Sequence, residues 1–471
     1  MLGFAIGLTI LANTRAKLSV VQGTYKQKAD EALAKKDFRT ARLCYDRLLT
    51  LAQTPTGKNM AGYGLVQSLE GMRAEPNRVK YLITQIAPLD RPGYPEAQLW
   101  AAMRLLAAPN IDPKDLGDAE LHLKRAVDGA GISTGPRAAL GQLYALTGRL
   151  SEAVPLLRDS LKERPELRIV LASVYRQQGL EQAAVEEAEF ARSYYERKVQ
   201  ADLSDKQSRY QLALVNMFAK NHAEAHKVIR EGLAREPDAA EFQALFADNC
   251  ALWVEQLAKE KPDALAEQLT LIEQGLRAAP GQGILLSRMQ TILRRNDATS
   301  DEARALLVRL LADGNAPAAI HFILGADAFE HRRPDEARIH WEQAIKLSPT
   351  FTYVANNLAW IQSESEKPDL EAALGLVDLA LKQQPQVPQF HGTRGHVLKK
   401  LGRHQEALEE LEKALVGTNK ESYEVHRDLA ETYEALGLKD QAKVHRDKVY
   451  ELELRAGLKP SKPTLTPANP K

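Results

Sequence analysis

The sequence predicts an all-α fold built from repeated helix pairs, and three observations carry that prediction. Aromatic residues make up only 6% of the 471 positions, while alanine and leucine dominate every stretch, the usage of a helical chain. A small residue followed twelve positions later by alanine recurs seven times: Ala29 and Ala41, Gly141 and Ala153, Ala172 and Ala184, Ala213 and Ala225, Gly325 and Ala337, Gly395 and Ala407, Ala430 and Ala442. In most copies a large side chain follows four positions after the alanine. Nothing alternates with period two over a useful length, so no sheet is expected.

The chain opens on an apolar run, Leu2 to Ala12. As a helix it spans roughly 17 Å, short of a ~30 Å hydrocarbon core. It has neither the preceding lysine or arginine nor the small-residue cleavage site of a secretory signal. Residues 1–21 are read as an N-terminal apolar segment, the end of a membrane span whose first half lies upstream. That reading makes the protein membrane-associated. A weakly packed first helix on a soluble cytoplasmic chain is the alternative.

From about residue 22 the repeat takes over. Apolar residues at three- and four-residue spacing, as in Ala153, Leu156, Leu157 and Leu161, give a helix with one buried stripe. The small residues let two helix axes approach to roughly 8–10 Å. Pro165, Pro237, Pro349 and Pro385 mark helix ends. Gly325, Ala359, Gly395 and Ala430 are spaced by 34, 36 and 35 residues. Proline and glycine clusters at 53–59, 88–95, 108–118 and 279–283 fall where helix-to-helix turns are due. The charged stretch after Gly437 suits an outer capping helix, and 458–471, with four prolines, reads as a disordered tail.

This frame resembles the tetratricopeptide repeat, a 34-residue helix–turn–helix unit. Its pattern is matched by Gly141, Tyr144, Gly148, Ala153 and Pro165, by Ala172, Tyr175, Gly179 and Ala184, by Gly395, Gly402, Ala407 and Ala414, and by Ala430, Tyr433, Gly437 and Ala442. The resemblance implies a right-handed superhelical solenoid over 22–457, with degenerate copies near 58–130 and 239–315. The 436 residues of that span hold at most about twelve units of 34, or 11–12 antiparallel helix pairs. An initial expectation of about three domains from length alone gives way to one array.

The remaining chemistry is sparse. Lys plus Arg (63) nearly cancels Asp plus Glu (62), for a net charge of +1, so no broad claim on nucleic acid is expected. Two cysteines, Cys44 and Cys250, exclude a disulfide framework. Gly131 to Gly135 matches the hydrolase pattern G-x-S-x-G around Ser133, but a nucleophile elbow needs a preceding strand and a helix precedes it here. His222 and His226 stand four apart in HAEAH, without the zincin glutamate and without a third ligand. No phosphate loop or dinucleotide fingerprint is present. No enzymatic activity, cofactor or metal is expected.

The resemblance also implies where a partner binds: the first helix of each pair lines a concave groove. That geometry singles out Tyr210, Met217 and Phe218, with Leu214 beside them, then Phe322 and Phe329. It continues through Tyr353, Asn356 and Trp360, His396, Lys399 and Lys400, and Arg427 beside Glu431 and Glu434. Lys26 and Asp30 stand where related proteins grip the carboxylates of chaperone tails, and an aspartate there repels that ligand. The expectation is a non-catalytic scaffold binding a peptide or partner helix. The alternative is a structural subunit of an envelope secretion, polysaccharide-export or sorting complex, held by lateral contacts.

Overall fold

The computed structural model describes residues 2–108, 110–129, 131, 133–295, 297–314, 317–417 and 422–456, with side chains from residue 17 onward. The proline-rich tail lies outside the described residues. Among those described there are 24 α-helices and no strand. The chain divides into two compact units, Met1–Asn221 and His222–Lys471.

In the first unit α1 (Leu2–Ala34) pairs with α2 (Phe38–Leu51), α3 (Pro55–Gly71) with α4 (Pro76–Ile86), and α5 (Pro95–Leu106) with α6 (Pro113–Gly129). Then α7 (Thr134–Leu146) pairs with α8 (Leu150–Ser160) and α9 (Arg168–Gln177) with α10 (Glu181–Ala201), before α11 (Lys206–Phe218). In the second unit α12 (His222–Arg235) is followed by α13 (Ala240–Glu260) with α14 (Leu265–Ala278), and α15 (Gly283–Leu293) with α16 (Ala298–Ala312). The last four pairs are α17 (Ala318–Glu330) with α18 (Pro334–Leu347), α19 (Thr352–Glu364) with α20 (Leu370–Gln383), α21 (Pro388–Lys400) with α22 (His404–Gly417), and α23 (Tyr423–Ala435) with α24 (Lys439–Arg455). The stretches 58–130 and 239–315, whose repeat frame is weak, fold into the same paired helices.

The N-terminal apolar run is the first part of α1, which continues without a break into the polar sequence around Lys26 and Lys28. Among the described residues no helix is long and apolar enough to cross a membrane. The expected membrane tether has no support there.

Six of the seven small-residue pairs mark where two helices of one unit touch. Ala41, Ala153, Ala184, Ala225, Ala337, Ala407 and Ala442 are all fully buried. In three of the pairs the large residue four positions on lies over the glycine of the first helix. A Cβ on Gly395 would stand 2.6 Å from Leu411, one on Gly141 would stand 3.0 Å from Leu157, and one on Gly325 would overlap the indole of Trp341. That indole donates to the Phe322 carbonyl at 3.2 Å, so it has little freedom to retreat.

The turn within each of these pairs is equally regular. The residue five before the alanine has a left-handed backbone in all seven: Gly148, Gly179, Gly402 and Gly437 at φ 75–78°, Lys36, Lys220 and Arg332 at φ 56–59°. The next amide reaches back five residues to close the helix, as Arg333 does to the Ala328 carbonyl at 2.8 Å and Arg403 to that of Leu398 at 2.9 Å. This is a Schellman ending, and glycine suits it because it has no Cβ to clash.

A polar contact recurs at one register across four pairs, four residues before the small residue and three after the alanine. Arg168 meets Glu187 at 2.5 Å and His391 meets Glu410 at 2.6 Å. His321 meets His340 at 3.1 Å and His426 meets His445 at 2.8 Å, Nδ1 to Nδ1. A histidine–histidine hydrogen bond needs one imidazole to accept, so it cannot survive protonation of both rings. Burial pushes His321 below the usual histidine pKa, and His340 adds to the shift. Burial does the same to His340, with Glu336 opposing and Arg333 adding. At His445 burial again leads, with His426 adding and Glu412 opposing.

Testable outcomes follow from this packing. Gly325→Ala should cost about 1–3 kcal/mol by overpacking. Gly375→Ala, in α20 with nothing within 4 Å of its Cβ, should gain up to about 1 kcal/mol; denaturant unfolding compares the two. Arg332→Gly should raise stability by up to about 1 kcal/mol by relieving a left-handed side chain, read as a higher thermal midpoint. For His321, His340 and His445 the folded pKa lies below 6.5, so just below that pH the unfolded chain binds more protons. Their contribution is whole above pH 6.5 and is lost as the pH falls through the folded values. Thermal unfolding between pH 7.5 and 5 should show that loss, and His340→Gln should reduce its slope.

Candidate functional site

In the second unit, first helices of successive pairs lie side by side, α19 on α21 and α21 on α23. Their shared face carries two features, a charged network and a cleft beside it. The network is centred on His396, which is 1% exposed. Its Nδ1 is 2.7 Å from Asp428 Oδ2 and its Nε2 is 2.8 Å from Glu364 Oε1. Lys399 donates to Asp428 Oδ1 at 2.8 Å and to Glu431. Lys400 donates to the Ser363 carbonyl at 2.7 Å and to Glu364. Arg427 lies 3.5 Å from Asp428. Burial alone would raise the Asp428 carboxyl; its contacts with His396 and Lys399 outweigh that and hold it below the usual range. Glu364 is likewise held low, burial being outweighed by Lys400 and His396. The network thus ties three first helices together through charges that are mutually satisfied.

The cleft has a volume of about 570 Å³ and runs from α17 to α23, a size typical of a binding site. Phe329, Trp341 and Trp360 form its apolar wall; Asn356, Asn357 and Thr393 supply amides and a hydroxyl. Glu330 and Glu424 stand at its sides, Glu330 within 3.5 Å of Arg294. Trp360 is anchored by ring contact with His396, centroids 4.4 Å apart, which joins the cleft wall to the network. Phe329 packs on Trp341 at 5.8 Å yet stays 43% exposed. The Asn356 amide donates to Asn357 Oδ1 at 3.3 Å, while its own Oδ1 is buried without a protein partner. A carboxamide oxygen left unsatisfied beside an apolar wall carries a free-energy cost.

The structure brings some of the sequence-selected residues together and parts others. Asn356 and Trp360 line the cleft, and His396, Lys399, Lys400 and Arg427 form the adjoining network. Tyr353 is half exposed, its ring edge-on to Phe390 at 5.3 Å. Phe322 is packed against Phe351 at 5.1 Å. In the first unit, Met217 is buried, Tyr210 and Leu214 are half-buried, and Phe218 is capped by the Arg176 guanidinium 3.6 Å above its ring. Lys26 and Asp30 pair with each other at 2.6 Å, and Asp30 also accepts from Tyr45 at 2.7 Å.

The other sequence motifs have structural occupations. Ser133 precedes α7 and follows α6, with helices on both sides. His222 Nδ1 is 3.0 Å from Asn249 Oδ1, whereas His226 lies against Phe246 and Trp253. Among the described residues no group of three His, Cys, Asp or Glu side chains could hold a metal ion. Cys44 and Cys250 are both buried thiols, and burial pushes Cys250 up to about 12. Sequence reading missed the cleft residues Asn357, Gln389 and Thr393, and the carboxylates Glu364 and Asp428. Glu364, His396 and Asp428 follow one another at intervals of 32 residues, close to one repeat, and that spacing was the available signal.

No curated protein matches the sequence. Residues 388–415, covering α21 and most of α22, match the tetratricopeptide repeat family. Solved structures align at low identity. One is a tetratricopeptide repeat protein from Parabacteroides merdae, 14% identical over 61% of this chain and 98% of that one, with a TM-score of 0.31. The APC/C hetero-tetramer Cut9–Hcn1 is 13% identical over 92% and 94%, at 0.35. Yeast Tom70 is 15% identical over 77% and 89%, at 0.29. The matched pair, residues 388–415, is thus similar to a tetratricopeptide repeat, and its left-handed turn recurs at six other places along the chain.

Proposed function

We propose that this protein is a non-catalytic interaction scaffold whose second unit holds an extended peptide or partner helix in the cleft between Phe329 and Thr393. The observation that carries the reading is the Asn356 carboxamide, buried with its oxygen unsatisfied in a cleft walled by Phe329, Trp341 and Trp360. A peptide backbone offers the N–H that this oxygen lacks, and its side chains offer apolar surface to the aromatic wall. The cleft provides amide, hydroxyl and carboxylate groups suited to recognition. The neighbouring charges are spent on one another, so Lys399 and Lys400 shape the wall instead of attracting an acidic ligand.

A second reading has its own observation. Leu43, Ile339 and Val444, each two residues after the buried alanine of a second helix, are 66%, 55% and 66% exposed. Apolar side chains at one repeated outer register suit lateral contact in an assembly, as a structural subunit would make.

The two readings separate experimentally. A partner recovered by affinity purification should bind Trp360→Ala at least tenfold more weakly, the loss of a central aromatic anchor. Asn356→Ala should weaken it by a smaller factor, consistent with about 1–3 kcal/mol for one buried hydrogen bond. Thermal unfolding of each variant checks that the unit remains folded. Full retention of the partner by both variants, with loss on Ile339→Glu, contradicts the cleft and favours lateral assembly.

A further inference from the structure

A second cleft, in the first unit, contains a polar atom held in a defined state. It lies among α3, α4, α5 and α6, has a volume of about 430 Å³, and is walled mainly by Val79, Ile83, Trp100 and Leu105, with Thr84 at its side and His122 lining it. His122 is 6% exposed. A chain of hydrogen bonds fixes its protonation pattern. The loop carbonyl of Pro88 accepts from Arg125 Nη1 at 2.7 Å and from Gln98 Nε2 at 3.0 Å. A carbonyl can only accept, so the Gln98 amide is oriented with its Oε1 toward His122 Nδ1. Oε1 can only accept in turn, so Nδ1 carries the proton. Burial keeps His122 below the usual histidine pKa, with Asp118 opposing and Arg125 adding, and at neutral pH Nε2 therefore carries a lone pair.

Gly93 protects this arrangement. A Cβ there would come within 2.8 Å of Gln98 Nε2 and 2.5 Å of the Ile86 carbonyl, so only glycine lets the loop close over the Gln98 amide. The result is a buried polar relay, Pro88 to Gln98 to His122, whose free end is an acceptor in an apolar cleft. An acceptor in that setting favours a ligand that brings a hydrogen-bond donor together with apolar surface.

We infer that this cleft is a docking site for a tyrosine side chain of a protein partner, the phenol hydroxyl donating to His122 Nε2 and the ring lying against Trp100. The inference rests on the scaffold reading but concerns a different unit and a different cleft. Tyrosine fits because its donor stands at the far end of a flat apolar ring and reaches a deep acceptor, whereas an indole carries its N–H on the flank. The Arg104 guanidinium lies 5.4 Å from the Trp100 ring and 3.0 Å from Glu70, which holds the aromatic wall in place.

The test uses the full-length protein and three probes by ligand-observed NMR and calorimetry: N-acetyltyrosine amide, its O-methyl ether, and N-acetylphenylalanine amide. The tyrosine amide should bind saturably and at least tenfold more tightly than the other two, which lack the donor. His122→Phe should erase that difference. Thr84→Trp, a change at an exposed helix position that fills the cleft, should abolish binding whether or not the His122 variant folds. Equal binding of the three probes, the absence of saturable binding, or undiminished binding by Thr84→Trp would overturn the inference. None of these readouts involves the cleft around Trp360, so failure here is distinguishable from failure of the scaffold reading.

Discussion

The structure depends first on a steric constraint, the contact between a small residue on one helix and a large one on the next. At Gly325 a tryptophan indole occupies the space where a Cβ would be, and at Gly395 a leucine does. A helix pair buries only part of its surface, and stacked pairs share the rest, so each contact is held by its neighbours. The left-handed turn fixes the angle at which the second helix returns. Together these two local rules convert a short sequence frame into paired helices in each of the two units.

Polar side chains add a second layer that differs between repeats. The inter-helix register is filled by Arg168 and Glu187, by His391 and Glu410, and by two histidine pairs. The pairs are thus alike in their helix packing but differ in the polar contact they carry. Between repeats, the Glu364, His396, Asp428 and Lys399 contacts join first helices side by side. Because the ring of Trp360 rests on His396, the network holds the aromatic wall of the proposed binding cleft in place. Preorganisation of this kind lowers the ordering cost of binding.

Much of the fold was legible in the sequence because seven copies of one frame repeat the same packing problem. Ala153, Ala337 and Ala407 announce the helix contact, and Gly148 and Gly402 announce the turn. Lys36, Lys220 and Arg332 show the limit of residue identity: their left-handed backbones are visible only through their place in the frame. The division at Asn221 was not legible, since the frame of Ala213 and Ala225 runs across it. Within the cleft, Asn356 and Trp360 could be picked out because groove positions follow from the frame. The state of Lys399 and Lys400 could not, because their partners Ser363, Glu364, Asp428 and Glu431 lie about 30 residues away on neighbouring pairs. The His122 relay was hidden for a related reason: Pro88, Gln98 and His122 meet only once α5 and α6 pack and the loop around Gly93 closes.

The most direct measurement is site-specific photo-crosslinking in the native host. A photoreactive side chain is placed at Asn357, within the cleft wall, or at Ile339, on the exposed outer face of α18. The account predicts covalent capture of one defined partner from position 357 and its absence from position 339. Capture from 339 alone would contradict it.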